Sequence, residues 1–212
     1  MQEKGPEKPM SREERILQAR RQRLIRRILW VGGIIIIVGG FLWWLVWVSK
    51  HQSGNLPGTF YPMVGREHIG LHDTPPTPYN SNPPSSGAHF GAPANWGIYD
   101  YVVNDTIFIH NLEHGGIWVA YRASTTPAAV LDQLKSIANE FSGSKIVMAP
   151  RPENDADIAL VAWTRVEKFT IAGSSLTDDQ KNAIREFYKA YRDHGPEFVP
   201  DNMPGIDPKS VQ

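Results

Sequence analysis

The longest uninterrupted pattern in this chain is apolar: Ile28 to Val48 runs for 21 residues without a charged side chain. At ~1.5 Å per residue a helix of that length reaches about 31 Å, enough to cross the hydrocarbon core of a bilayer. Trp30 stands at one end and Trp43, Trp44 and Trp47 at the other, where interfacial aromatics collect. A core helix of a soluble protein rarely stays apolar on every face for so long. A cleaved signal peptide would have an apolar region of ~7–15 residues ending at small residues, and Trp47-Val-Ser-Lys-His51 offers no such site. The pattern predicts an uncleaved transmembrane helix over 28–48. Before it, Ser11 to Arg27 is basic with weak helical spacing in Ile16, Leu17, Leu24 and Ile25.

Beyond the apolar run, residues 49–63 read as a linker, with Gly54, Pro57, Gly58 and Pro62. Val64 to Trp96 is dense in Pro, Gly, Ser and Asn, which forbids a helix and most ladder positions. His68, His72, Tyr79, His89, Phe90 and Trp96 are spread through it, and free linkers carry few aromatics, so an ordered wrap is expected. Thr106–His110 and Ile117–Tyr121 are β-branched and aromatic runs joined through glycines, a hairpin signature. Pro127–Phe141 has amphipathic helical spacing behind an initial proline. Lys145–Ala149 and Ile158–Trp163 read as two strands around the polar turn Arg151–Asp157. Thr177–Tyr191 is a second helix, opened by a Thr177/Gln180 capping box and closed by Gly195-Pro196. The order ββαββα predicts an α+β domain over 64–198: a four-stranded antiparallel sheet with both helices on one face, followed by a flexible tail over 199–212.

Charge gives the chain a direction. Net charge is zero, but residues 1–50 carry 10 Lys/Arg against 4 Asp/Glu, while residues 51–212 carry 12 against 18. Arg12, Arg15, Arg20, Arg21, Arg23, Arg26 and Arg27 precede the apolar run, and only Lys50 and Arg66 follow it closely. The positive-inside rule therefore expects a cytoplasmic tail over 1–27 and everything past Val48 outside the cell membrane. An acidic exterior domain argues against nucleic acid as a partner and leaves the lipid bilayer, and a membrane protein complex, as the expected ones. The absence of cysteine excludes thiolate zinc sites, iron–sulfur clusters and cysteine nucleophiles.

The chemistry concentrates in His110-Asn-Leu-Glu113-His114, with His89 and His68 arriving from the wrap. On a helix, His110, Glu113 and His114 would share a face, as in zinc hydrolases with an H-x-x-E-H motif and Glu113 as base. That helix would have to begin after Ile107-Phe-Ile109 and survive Gly115-Gly116, so a strand end or bulge is the expected setting. A loop-and-strand metal site survives that objection. Its ligands would be His110, His114, His89 and His68, with Glu113 as ligand, outer partner or base. Imidazoles without thiolate suit copper or zinc first, and nickel or iron as well. The rival is a structural hydrogen-bond network, with Glu113 bridging to Arg122 or Arg151. Met63, Met148 and Met203 are weaker candidates as soft ligands, and His72 and Asp73 weaker neighbours. Ser85 and Ser86 lack a nucleophile-elbow context, and there is no phosphate-cradling or dinucleotide glycine loop.

Pro83-Pro84-x-Ser86-Gly87-x-His89, the Trp96-Gly97-x-Tyr99 element, His110-x-Leu112-Glu113-His114-Gly115, Ala162-Trp163 and Gly195-Pro196-Glu197 together resemble a bacterial family, domain of unknown function 3105. The resemblance runs from Val64 to Phe198 and includes the preceding anchor. The family has no assigned activity; what the resemblance implies is that His68, His89, His110, Glu113 and His114 form one site. The expectation is a single-pass membrane protein with an extracytoplasmic metal-binding domain, in metal handling or in support of a membrane complex. Two alternatives stand beside it: a metal-free accessory subunit, and a zinc-dependent hydrolase.

Overall fold

The computed structural model describes residues 12–53 and 56–212, which fall into two compact units divided after Asn55. The first unit is a single helix, α1 (Arg12–Ser53), whose stretch from Arg20 to Trp47 is long and apolar enough to cross a membrane. It extends through part of the basic tail and into the expected linker; residues 1–11 of that tail lie outside the described residues.

The second unit is a mixed α/β domain. Its strands are β1 (Thr59–Phe60), β2 (His68–Ile69), β3 (His89–Phe90), β4 (Gly97–Ile98), β5 (Ile117–Tyr121), β6 (Ile146–Pro150), β7 (Ile158–Ala162) and β8 (Arg165–Phe169). Its helices are α2 (Asp105–Glu113), α3 (Ala128–Glu140) and α4 (Asp178–Tyr191). The main sheet has six strands in the order β1-β8-β7-β5-β6-β4, and β2 and β3 form a separate parallel pair. The four-stranded antiparallel sheet is thus corrected to a mixed one. β5 pairs parallel to β6, which also pairs parallel to β4, and the remaining pairings are antiparallel. β6 and β7, expected as a hairpin, are separated by β5. Helix α3 is the crossover that parallel β5 and β6 require. The misreading has a physical cause. β5 and β7 are buried on both faces and β6 nearly so, and such strands show no alternation by which to choose neighbours.

The two helices read from amphipathic spacing form where expected. Thr177 and Gln180 exchange both capping-box hydrogen bonds at the start of α4, and Pro127 occupies the N-cap position of α3 without a side-chain hydrogen bond. Ile117, Val119, Met148 and Leu160 face them, packed with Leu134, Ile137, Ile184 and Phe187. The opposite sheet face, with Trp118, Ala120, Val147 and Val161, is covered by α2 through Ile107, Phe108 and Leu112. Each Val, Ile, Leu, Met or Phe among these contributes ~1.5–3 kcal/mol by leaving water. The domain is therefore a three-layer sandwich, and α2 is its second cover.

That helix replaces the strand expected over Thr106–His110. Asn104 caps it, its side-chain oxygen accepting from the Thr106 N–H at 2.9 Å. At the far end the Gly115 and Gly116 N–H groups donate to the Leu112 and Asn111 carbonyls at 3.0 and 2.9 Å, and Gly115 has φ +75°. This is a Schellman stop, so the glycine pair ends the helix rather than preventing it. Residues 106–113 are all buried, so no polar face marks the helical period, and packing outweighs the β-branched propensities of ~0.5 kcal/mol each.

The wrap is ordered against α2. The Asn111 side chain accepts from the Ala94 N–H and donates to the Ala94 carbonyl, both at 2.9 Å. The segment 199–212, expected to be flexible, is docked: the Ile206 N–H donates to Pro93, the Asn95 N–H donates to Ile206, and Gln212 accepts from the Asn104 N–H. The expected linker 49–63 likewise splits, its first residues finishing α1 and Thr59–Phe60 pairing as an edge strand with β8.

Candidate metal centre

Helix α2 presents His110 and Glu113 one turn apart on the same face, beneath the wrap. β3 carries His89 and β2 carries His68, and the parallel register sets these two residues directly opposite each other. One potential ligand atom from each of His68, His89, His110 and Glu113 lies within 4.8 Å of all the others. The rings of His68, His89 and His110 sit 4.9–5.0 Å apart, centroid to centroid, and those of His68 and His110 stack at 19°. His89, His110 and Glu113 are buried, while His68 is exposed.

Two imidazoles are held as metal ligands usually are, through the nitrogen that does not face the site. His89 Nδ1 lies 2.8 Å from the Gly87 carbonyl and His110 Nδ1 lies 2.7 Å from that of Phe90. A carbonyl only accepts, so each Nδ1 carries the proton and each Nε2 is turned inward. His89 Nε2 then faces Glu113 Oε2 at 3.0 Å. A lone pair opposite a carboxylate oxygen calls for a cation between them, either a proton or a metal ion held by both.

Glu113 has a second partner: Arg66 Nε donates to its Oε1 at 2.6 Å. Burial pushes the Glu113 carboxyl up, but the hydrogen bonds and charges of His89 and Arg66 outweigh it and hold the group at about 2. This replaces the expected pairing with Arg122 or Arg151; Arg151 instead binds Asp105, at the start of α2, through Nε and a terminal nitrogen. Burial lowers His110, and the Phe90 carbonyl only partly offsets it.

His114 is not one of the four donors that lie within 4.8 Å of one another, but it adjoins them through His110. Its Nε2 lies 3.1 Å from His110 Nε2 and 3.7 Å from Glu197 Oε2, and burial, then the neighbouring His110, push it down to about 4. It closes α2, and its carbonyl accepts from the buried Nζ of Lys145 at 2.7 Å, with Val199 as a further acceptor. A cation against a helix C-terminus meets the negative end of the dipole. Gly195 lies so close that a Cβ there would stand 2.2 Å from the Glu113 carbonyl oxygen, and one on Gly115 would stand 2.7 Å from Asp193 Cα. The Glu197 N–H also donates to the Glu113 carbonyl at 3.1 Å. The histidine-glycine and glycine-proline-glutamate segments therefore interlock, backbone to backbone.

The other candidates lie elsewhere. Asp73 accepts from the Gly70 N–H and lines, with His72, a separate surface cavity of about 490 Å³. A larger cavity of about 600 Å³ opens between Trp96, Asn139 and Asp201. Neither is lined by the His/Glu cluster. Met148 is buried in the core under α3 and α4, and Met63 and Met203 are exposed. Ser85 and Ser86 are buried in hydrogen bonds that hold the wrap. Arg66 and Lys145 were missed from sequence, though Arg66 stands two residues before His68, the spacing that puts two side chains on one side of an extended segment.

Fold and site together define a mixed α/β domain, carried behind an apolar helix, with a His/Glu cluster able to hold a metal ion. A family model for proteins of unknown function, DUF3105, matches residues 72–202, more than half of the chain, and the protein belongs to this family. The match includes His89, His110, Glu113 and His114 and begins just after His68. No curated protein and no solved structure shows a significant match.

Proposed function

We propose that this is a single-pass membrane protein, N-terminus in the cytoplasm, whose exterior domain binds one divalent first-row ion through His68, His89, His110 and Glu113. The observation that carries this is the convergence of four donor atoms within 4.8 Å, two of them on imidazoles anchored by backbone carbonyls. Three nitrogens and one carboxylate oxygen suit copper(II) or zinc and disfavour magnesium or calcium, which take oxygen ligands. The role that fits is metal handling, or support of a membrane complex held nearby by the anchor. Elemental analysis of the full-length protein in detergent should find about one equivalent of zinc or copper, and His110→Ala should remove it.

The metal-free reading has its own support, since each oxygen of Glu113 already meets a donor in Arg66 and His89. On that reading the cluster is a structural network in an accessory subunit, and added zinc or copper would leave the unfolding midpoint unchanged. The hydrolase reading has less support. The helix its motif needs is present, yet a general base must reach the water it activates, and both oxygens of Glu113 are engaged by Arg66 and His89.

A further inference from the structure

Arg66 touches the cluster and yet cannot ligate an ion, because a guanidinium has no lone pair to offer. Its position suggests two tasks. The first concerns Glu113, whose oxygens are divided between Arg66 Nε on Oε1 and His89 Nε2 facing Oε2. With Zn–N and Zn–O bonds of ~2.0–2.2 Å, ligand atoms on one tetrahedral ion lie roughly 3.3 Å apart. The 3.0 Å edge between Oε2 and His89 Nε2 is close to that spacing. Oε1 is engaged elsewhere.

The second task concerns His68, the exposed member of the cluster, on a strand of two residues. Arg66 and His68 alternate along the wrap, while Glu113 and His110 lie one turn apart on α2. The Arg66–Glu113 ion pair and the His68–His110 ring stack thus form two rungs between the same two segments. Otherwise this stretch is tied down by β2–β3 pairing, by the His89 N–H on the Glu67 carbonyl, and by the Val64 N–H on Ser86 Oγ. Arg66 itself is 44 % exposed against 2 % for Glu113, so the pair closes the buried carboxylate off from solvent.

We propose that Arg66 is the positioning residue of this centre: it takes one oxygen of Glu113 so that the carboxylate offers the other to the ion, and it pins residues 66–68 so that His68 completes the site. This rests on the metal reading above. Partners that orient ligands typically change metal affinity by about 10–100-fold when removed. The test uses the full-length protein in detergent, stripped of metal and titrated with zinc against a chromophoric chelator. Copper(II)-loaded samples are followed by electron paramagnetic resonance. Arg66→Gln should weaken zinc binding about 10–100-fold and shift the copper g and hyperfine values. R66K, which keeps the charge but not the planar fork, should bind more tightly than R66Q and less tightly than the wild type. A merely structural Arg66 would lower the unfolding midpoint of the metal-free protein and leave the copper spectrum alone. Wild-type affinity and spectrum in R66Q, or in R66K should R66Q not fold, would overturn the assignment while the metal site stands. A wild type that binds neither ion would overturn both.

Discussion

At the scale of single residues, the cluster is built from groups that are costly to bury unless they answer one another. Glu113 is an ionised carboxylate in the interior, stabilised by Arg66 and His89; removing a partner from such a pair leaves an uncompensated charge. The metal reading predicts that zinc at about 100 times its Kd raises wild-type stability by ~2.7 kcal/mol, and that His110→Ala abolishes this increment, as read by thermal unfolding with and without zinc. A second expectation concerns pH. His114 drops from 6.5 to about 4 on folding, and His110 is lowered as well. Between about pH 6.5 and 4 the unfolded chain therefore binds more protons than the folded one, so stability falls as pH falls through that window. For His114 the loss is on the order of 2–3 kcal/mol. Below that, Glu113, ordinarily at 4.5 and held at about 2, gives up its own contribution as pH approaches 2. Denaturant unfolding of chelator-treated protein at pH 7 and pH 4.5 checks the first part, and His114→Gln should flatten the slope.

At the scale of elements, α2 decides where the chemistry sits. Its nine residues are short for an isolated helix, so its ends and its burial must hold it. Asn104→Ala should cost ~0.5–2 kcal/mol by removing the cap. Gly195→Ala should cost more, because its Cβ would meet the Glu113 carbonyl oxygen at 2.2 Å, backbone against backbone, with no flexible side chain to yield. A value of about 3 kcal/mol or above, with weakened metal binding, is expected for Gly195→Ala from the overpacking it forces beside Glu113. Chemical denaturation and a zinc titration on the same sample separate the two effects. A Gly195→Ala protein with wild-type stability would show that the interlock of the two glycine segments does not matter.

At the scale of the whole molecule, two units are joined in one chain, a helix apolar and long enough to cross a membrane and a mixed α/β domain. The arginines cluster before the uncharged run that begins at Ile28, and the acidic residues prevail beyond Val48; this asymmetry sets the expected sidedness. A reporter active only outside the cytoplasm, fused after Gln212, should be active; activity of a cytoplasm-only reporter at that position would reverse the orientation. The docked C-terminal segment argues for a flexible spacer before the reporter, since Gln212 itself bonds Asn104.

The apolar helix, α3, α4 and the central strands were legible in the sequence because each carries a local signal: length without charge, helical spacing with a proline or capping box, or β-branched runs. The histidines and Glu113 were legible as a group because the chain has 7 histidines and no cysteine, and His110, Glu113 and His114 fall within one short stretch. The secondary structure of His110 and Glu113 was not legible. Ile107-Phe-Ile109 prefers a strand when nothing surrounds it, and only burial on every side makes it a helix. Strand order was equally hidden, since doubly buried strands look alike and β5 enters between β6 and β7 by tertiary packing alone. The parts played by Arg66 and Lys145, and the place of His114 beside His110 at the edge of the cluster, also depend on which segments pack together. Local sequence thus determined α1, α3, α4, the central strands and the inventory of chemistry, whereas contacts between residues distant in the chain made α2 a helix and decided which of those groups face one another.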